Sequence, residues 1–336
     1  QINTTDTGGR TGPRHAGCPC LGDQPTLGID SQNIYITTNE FSLQGPQYNG
    51  AQIYAVAKRD LTQFAPPSTP AHFVHFDNLH IGGAIASSVQ PALTTGTPPA
   101  EYFLNSLDPN GTFDQRVGVW AMTNRGAVAT GGRPTLSSLV IPSQAYAIPP
   151  GAQQRGSTSL IDSGDDRMQQ TQSINGDVWG ELTTSVTIPN DPTARAGAAW
   201  FDVHPALRGN VLGSAQMRRQ GYVTVAGSNL LYPALQVSPS GQAAMVITLT
   251  GSRYYPSAAY SVMPAGGRSF GPVNVAAAGT GSYDPAATRW GDYSWAVLDP
   301  SGKSVWMATE YIPPRASQTS NRQRNWGTRV LEAPTH

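Results

Sequence analysis

The chain has 336 residues, and its 21 basic and 21 acidic side chains cancel at neutral pH. Only 12% of the residues are charged, about half the usual share of a globular protein. This balance leaves no strong field for nucleic acid or for an anionic membrane, so we expect neither as a partner. No apolar run approaches the roughly 20 residues that a membrane-spanning helix needs, and we expect no membrane span.

The first distinctive stretch is Cys18-Pro19-Cys20, where two cysteines stand one residue apart. A zinc or redox site would need a C-x-x-C spacing and further thiols or histidines, and the chain has only these 2 cysteines. A bridge across one residue is strained, yet it is the one pairing that a single polypeptide allows. We expect a local disulfide between Cys18 and Cys20, with free or intermolecularly paired thiols as the alternative.

After the cysteines the chain alternates with a period of two. In NIYITTNEF, Ile34 and Ile36 point to one side while Tyr35 points to the other, which predicts a half-buried strand. Short β-branched or aromatic runs recur along the chain, and no long segment has a convincing helical period. The sequence therefore predicts an all-β chain.

The strands fall into five repeated units, which begin near residues 22, 88, 168, 231 and 290. Turns at Asp30, Ser238 and Asp299 share one position in their units, and each offers Asp or Ser to bond the turn backbone. Self-similarity at a spacing of about 60 to 80 residues, built of strands, predicts a β-propeller with one four-stranded blade per unit. We expect residues 1–336 to form this single domain.

The fourth strand of each unit is less distinct than the first three. Candidates are HFVHFD, SSLVIP, GYVTVAG and PVNVAAA, and the last unit has none after NWGTRVLE. The extended run QINTT at residues 1–5 is expected either to supply that strand and close the ring, or to finish a blade whose earlier strands are missing from this chain.

Three passages carry a resemblance to a known group: CPCLGDQPTLGID with IYITTNEF, LYPALQVSPSG with YYPSAAY, and RWGDYSWAVLDPSG with NWGTRV. Together they resemble bacterial secreted β-propeller proteins of largely unassigned function, distantly similar to sialidases. The resemblance implies further blades upstream of Gln1, and up to seven in the intact protein. The chain departs from sialidases in lacking their S-x-D-x-G-x-x-W repeat motif.

Three histidines stand close together in AHFVHFDNLH, namely His72, His75 and His80. Residues three apart on a strand face opposite sides, so His72 and His75 should diverge. We therefore expect structural or surface roles for these histidines.

Two acidic segments offer oxygen ligands for calcium. DPNGTFD supplies Asp108, Asn110 and Asp114, and DSGDDR supplies three more aspartates, at positions 162, 165 and 166. Neither segment has the spacing of an EF-hand, and turn hydrogen bonding explains both. We expect no cofactor, with calcium as the alternative.

Signals for catalysis are sparse. No G-x-S-x-G motif is present. A sialidase-like site would join a Tyr activated by Glu to an arginine cluster. Glu310 and Tyr311 are the candidates, and the arginines around them in the sequence are Arg289, Arg315, Arg322 and Arg324.

Comparison of the units suggests a ring of polar residues. Asp23 and Asp292 occupy the same place in two units, just before the first strand, and Gln90, Gln170 and Tyr232 fall near it in the others. The first strand of each propeller blade lines the central channel, so these side chains should surround one channel mouth. The ring could hold a cation or a small polar ligand. Alternatively, each residue only bonds the next blade.

These features favour a non-catalytic binding or structural module over an enzyme. Low charge, many small polar residues and two cysteines are typical of secreted or cell-surface proteins. Loops from several blades meet on one face, where recognition of a carbohydrate or protein surface is expected. A sialidase-like glycoside hydrolase and a subunit of a larger surface assembly are the alternatives.

Overall fold

The computed structural model describes residues 15–62, 71–107, 109, 111, 113–189, 191–283, 289–314 and 325–335. Within them the chain is all-β, which confirms the predicted class. The described helices are short: α1 (Lys58–Thr62) and a 3-10 helix, Arg125–Thr130.

The strands form successive antiparallel meanders. The first contains β1 (Cys20–Ile29), β2 (Asn33–Ser42), β3 (Tyr48–Ala57) and β4 (Phe73–Phe76). A small hairpin follows, β5 (His80–Ile81) with β6 (Ala84–Ile85). The second meander contains β7 (Gln90–Thr94), β8 (Glu101–Ser106), β9 (Asp114–Thr123) and β10 (Thr135–Tyr146).

A second hairpin, β11 (Ala152–Gln154) with β12 (Ser157–Ile161), precedes the third meander. That meander contains β13 (Met168–Ile174), β14 (Asp177–Ile188), β15 (Asp191–Arg208) and β16 (Val211–Val223). The fourth contains β17 (Ser228–Val237), β18 (Ala243–Gly251), β19 (Tyr254–Met263) and β20 (Asn274–Ala277). The fifth contains β21 (Trp295–Leu298), β22 (Ser304–Tyr311) and β23 (Gly327–Pro334). QINTT, the expected partner of this last meander, lies outside the described residues.

Turn chemistry explains where the first strands end. Asp30 accepts hydrogen bonds from the backbone N–H groups of Gln32 and Asn33, both at 2.7 Å. Asp299 does the same for Ser301 at 2.8 Å. The short acceptor side chain replaces a strand partner at the point where the backbone must reverse.

The first strands of successive meanders lie side by side. β7 pairs in parallel with β1, at Ile29 opposite Leu93, and with β13, at Thr171 opposite Ala92. Parallel pairing puts the starts of these strands at the same end of the molecule. The approach of β1 to β7 is close, because a Cβ added at Gly28 would lie 2.5 Å from Pro91.

An apolar core fills the space between each meander and the next. Phe103 and Leu104 are neighbours on β8, so they face opposite sides. Phe103 packs against the first meander, and Leu104 packs against the third. Stacked Trp179 and Trp200, with centroids 5.9 Å apart, lie in the core shared with the fourth meander. Val246 belongs to the core shared by the fourth and fifth meanders.

Candidate functional site

Polar side chains from several meanders gather where the first strands begin. We call this group the polar cluster. Each member is linked to another by a hydrogen bond or an electrostatic interaction, and the members are Asp23, Tyr48, Asp162, Asp165, Arg167, Tyr232, Arg289, Asp292, Tyr293 and Glu310.

The β11–β12 hairpin positions one side of the polar cluster. Ile161 packs with Tyr232 and Trp290 in a small apolar core. Gln154 fixes the hairpin against the backbone of Tyr283, donating to its carbonyl and accepting from its N–H, both at 2.7 Å. The segment after the hairpin, which carries Asp162, Asp165 and Arg167, is therefore held beside the start of the fourth meander.

Tyr232 is the most enclosed member, with only 4% of its surface exposed. Its backbone φ of +47° is unusual for a residue other than glycine. Two glycines make room for the ring: a Cβ would lie 3.0 Å from it at Gly164 and 3.4 Å at Gly291. Burial and the carboxylates of Asp162 and Asp292 raise the pKa of Tyr232 far above its ordinary value, so the phenol stays protonated.

The hydroxyl of Tyr232 has no hydrogen-bond partner among the described residues. Buried polar groups are normally satisfied, so an unpaired hydroxyl beside carboxylates requires an explanation. The geometry offers a protonated phenol that is free to donate one hydrogen bond and to accept others.

Glu310 lies on the last meander, near the end of β22. Burial and the nearby Asp292 raise its pKa from 4.5 to about 7, while a hydrogen bond from the backbone N–H of Gly291 opposes the shift. The carboxyl group is therefore close to half protonated at neutral pH, and it can serve as proton donor or acceptor.

The two arginines of the polar cluster are already paired. Both oxygens of Asp292 accept from Nη2 of Arg289 at 2.7 Å. Arg167 binds Asp165 through Nε at 2.6 Å and Nη2 at 2.5 Å, in a forked geometry. The guanidiniums are thus held in place by neighbouring carboxylates.

The predicted ring is only partly assembled. Asp292 lies near Tyr232, and Asp23 is near enough to Tyr293 to raise the pKa of that phenol, after burial and Asp292. Gln90 instead lies buried and donates to the carbonyl of Met168 at 2.9 Å. This bond to the next meander is what the alternative reading of the ring expected.

Gln170 is also buried, and both hydrogen bonds of its side-chain amide go to the backbone of Ala296. In the last meander, Glu310 belongs to the polar cluster, whereas Tyr311 follows it on β22 and alternation places it on the opposite face. Arg289 belongs to the polar cluster; the other arginines predicted near Glu310, at positions 315, 322 and 324, lie outside the described residues.

Among the described residues, the structure does not bring the predicted calcium ligands of either segment together as one site. Asp108 and Asn110 lie outside the described residues, and Asp114 forms a forked pair with Arg116 at 3.0 and 2.8 Å. Of the second segment, Asp162 and Asp165 join the polar cluster, whereas Asp166 is buried.

The three histidines have separate partners. His72 bonds Asp60 at 2.8 Å. His75 stacks on Tyr54 with ring centroids 4.4 Å apart. His80 is exposed and contacts a backbone carbonyl. No shared metal site follows for these three side chains.

Cys18 and Cys20 form a disulfide. Beside it, Glu40 bonds His15 at 2.6 Å and Asn49 at 3.1 Å. Ligand atoms of His15, Cys18 and Glu40 lie within 4.8 Å of one another, the one such trio in the described part of the chain. The sulfur is committed to the disulfide and offers no thiolate to a metal ion.

A separate apolar groove of about 270 Å³ lies between the ends of β10 and β14. Phe113 and Tyr222 line it, and it contains no carboxylate or basic side chain. Its polar groups are the hydroxyls of residues such as Ser185 and Thr187, whereas the polar cluster adds charged groups, so we take the polar cluster as the candidate site.

Sequence reasoning missed several members of the polar cluster. Tyr48, Arg167 and Tyr293 sit at unrelated places in their units, so comparing repeats could not reveal them. Asp162 and Asp165 were recognised only as possible calcium ligands. Their meeting depends on contacts between distant meanders, which no local pattern encodes.

Comparisons with known proteins assign no family: no family model matches the chain, and neither does any curated protein. Among solved structures, a protein of unknown function from Dyadobacter fermentans is similar at 11% identity, with a TM-score of 0.43, over 94% of this protein and 79% of that one. An endo-arabinase from Bacteroides thetaiotaomicron is similar at 13% identity, with a TM-score of 0.31, over 94% and 95%. An RGII complex of BT0996 is similar at 9% identity, with a TM-score of 0.32, over 94% and 87%.

Among the described residues, no helix combines the length and the apolar character needed to cross a membrane.

Proposed function

We propose that the chain is a β-propeller module whose polar cluster binds a carbohydrate, in an extracellular or cell-surface setting. The observation that carries the proposal is the convergence of carboxylates, paired arginines and tyrosines where the first strands begin. A protein surface and other subunits of an assembly are the other partners consistent with the composition, and nucleic acid is not expected.

The propeller arrangement is supported by the order of the meanders. Their first strands are neighbours, and cores lie between each meander and the next. The first and last meanders also approach each other, because Asp23 of the first affects the pKa of Tyr293 in the last. These relations support our proposal of a propeller, in which antiparallel sheets are arranged around a central axis.

The polar cluster has the chemistry that sugars require. Sugar hydroxyls bond to carboxylates and guanidiniums, and the apolar face of a sugar ring packs on aromatic side chains. Tyr293 is 41% exposed and Tyr48 is half-buried, so both rings are accessible at the edge of the polar cluster. The forked pair of Arg167 with Asp165 fixes these two polar groups before a ligand arrives, which lowers the entropy cost of binding.

Glycoside hydrolysis is the second candidate, and Glu310 is the observation that favours it. Glycosidases pair a protonated carboxyl group, which acts as the acid, with a second carboxylate. A pKa raised to about 7 suits Glu310 to the first role, and Asp292 is the nearby carboxylate. The proposed substrate-binding residues are the same in both candidates.

A glycan array with parallel assays for hydrolysis products separates the two candidates. Binding without cleavage supports the binding module. Cleavage that is abolished in Glu310→Gln, with binding retained, supports the hydrolase. If no glycan binds and none is cleaved, the carbohydrate proposal is wrong, and a subunit role, tested by sizing for a stable oligomer, takes its place.

A further inference from the structure

We infer that the ligand of the polar cluster is an amine-bearing saccharide, one with a protonated amino group on the sugar ring. The inference rests on the proposed carbohydrate-binding function and adds its substrate class. It stands on the charge of the polar cluster and on one buried, unpaired hydroxyl.

The charge of the polar cluster is unbalanced. Its described residues supply four aspartates, at positions 23, 162, 165 and 292, and Glu310, whose raised pKa leaves it only partly charged, against the guanidiniums of Arg167 and Arg289. Arg167 binds Asp165 through a forked pair, and Arg289 binds Asp292 through Nη2. Among the described residues, Asp23, Asp162 and Glu310 form no ion pair, although Arg289 lies near enough to Asp162 for their charges to interact. A positively charged ligand would neutralise the excess negative charge of the polar cluster.

Tyr232 supplies the independent observation. Its hydroxyl is buried and unpaired, although the carboxylates of Asp162 and Asp292 are near enough to raise its pKa. An unsatisfied buried hydroxyl destabilises a protein, so a hydroxyl without a function there could be removed by replacement with Phe at no loss. A ligand ammonium or hydroxyl group placed between this phenol and Asp162 would satisfy both.

The same charges exclude anionic sugars. A sialic acid or uronic acid would bring a carboxylate against unpaired carboxyl groups, at a cost in both repulsion and desolvation. Arg167 cannot compensate without releasing Asp165, which it binds through two donors, and the charge of Arg289 is already balanced by Asp292. An ammonium group is instead attracted by the carboxylates, and it gains a cation–π contact with the exposed ring of Tyr293.

The test compares two oligosaccharides that differ only in charge: the β-1,4-linked tetramer of glucosamine and its fully N-acetylated counterpart. Calorimetric titration at a pH of about 5.5 keeps the amines protonated. We expect the glucosamine tetramer to bind at least about tenfold more tightly at low ionic strength, with the difference shrinking as salt screens the charges. Equal binding, or tighter binding of the acetylated tetramer, overturns the inference.

Variants identify the site. Tyr232→Phe should weaken glucosamine binding by about tenfold while leaving the unfolding temperature unchanged or raised, because the variant removes an unpaired hydroxyl. Asp162→Asn should also weaken it. The control is Asp299→Asn, in the β21–β22 turn at the opposite end of the last meander from Glu310, which should bind as wild type does.

The outcomes separate the two proposals. Binding of neutral or anionic glycans without binding of the glucosamine tetramer overturns the amine inference and leaves carbohydrate binding standing. If Tyr232→Phe and Asp162→Asn bind as wild type does, the amine site does not lie in the polar cluster. If no glycan of any charge binds, the proposed function itself is wrong.

Discussion

The side-chain amide of Gln170 joins the backbone of Ala296 by two hydrogen bonds. Nε2 of Gln170 donates to the carbonyl oxygen at 2.7 Å, and Oε1 accepts from the N–H at 3.1 Å. These residues are 126 positions apart and belong to the third and fifth meanders. Both are buried, so the pair ties two non-consecutive first strands together inside the protein.

Replacing Gln170 by Ala should leave the N–H and C=O groups of Ala296 buried without partners. Each unsatisfied group costs about 1–3 kcal/mol, so we expect a loss of several kcal/mol in the free energy of unfolding, measured in urea. The matched control is Gln236→Ala, since Gln236 is equally buried in a first strand but donates only to its neighbour Val237. Equal losses in the free energy of unfolding would show that the bonds of Gln170 to Ala296 contribute no more to stability than the local bond of Gln236.

The close packing of β1 on β7 predicts that Gly28→Ala is harmful. A Cβ there would lie 2.5 Å from Pro91 and 2.7 Å from the carbonyl oxygen of Ala92, so the two first strands must move apart. We expect a loss of about 1–3 kcal/mol, as for other overpacked sites. Gly45→Ala is the control because a Cβ there meets nothing within 4 Å. Thermal unfolding of both variants is the measurement, and a Gly28→Ala protein as stable as Gly45→Ala would contradict this packing.

The buried ion pair of Asp30 and Arg125 predicts a large effect of Arg125→Met. Both side chains are almost inaccessible, and the carboxyl group of Glu101, whose pKa burial and Asp30 hold well above its usual range, lies nearby. Removing the guanidinium leaves the carboxylate of Asp30 buried without its ion-pair partner, which lowers the free energy of unfolding by about 3–5 kcal/mol.

The control for that experiment is Arg116→Met. Arg116 pairs with Asp114 but is 53% exposed, and pairs of that kind contribute about 0–1 kcal/mol. Denaturant unfolding should therefore separate the two variants clearly. A similar, small loss in both would mean that the Asp30–Arg125 pair is not desolvated in solution.

Glu310 predicts a pH-dependent stability. Its pKa is raised to about 7 in the folded protein, so ionisation opposes folding. The loss of stability begins as the pH rises above 4.5, the ordinary pKa of the Glu side chain, and it is complete above about 7. Glu310→Gln removes this penalty, and the variant should gain stability relative to wild type as pH rises through that window.

The matched control is Glu332→Gln, an exposed carboxyl group on the neighbouring strand β23. Its stability should follow wild type at every pH. Urea unfolding from acid to mildly alkaline pH measures both variants. A Glu310→Gln protein whose advantage is constant with pH would show that Glu310 titrates normally.

Strand patterns and turns were accessible from the sequence because they depend on neighbours in the chain. The alternation around Ile34 and Ile36 lies within β2, and Asp30 and Asp299 make the expected turn bonds. The all-β class follows from such local patterns. Three of the segments proposed as fourth strands, HFVHFD, SSLVIP and PVNVAAA, coincide with β4, β10 and β20 for the same reason, whereas GYVTVAG overlaps only the end of β16.

The candidate site was accessible only in part. Comparing units drew attention to Asp23, Asp292 and Tyr232, because residues at one place in a repeat meet at one end of the assembly. The same comparison also predicted Gln90 and Gln170 as site residues, but their amides bind backbone groups inside the protein. Whether a polar side chain faces solvent or the next meander depends on packing across distant segments, which the repeat pattern does not specify.

The account's central claim is that the polar cluster is where the protein binds a glycan. Two exposed aromatic residues of the last meander test it directly, since Tyr293 is 41% exposed at the polar cluster and Trp306 is 40% exposed away from it. Calorimetric titration with the strongest glycan from the array should show binding weakened by about tenfold or more in Tyr293→Ala and unchanged in Trp306→Ala. Unchanged binding in Tyr293→Ala, with loss in Trp306→Ala, would contradict the claim and place the binding surface on the outer face of the last meander.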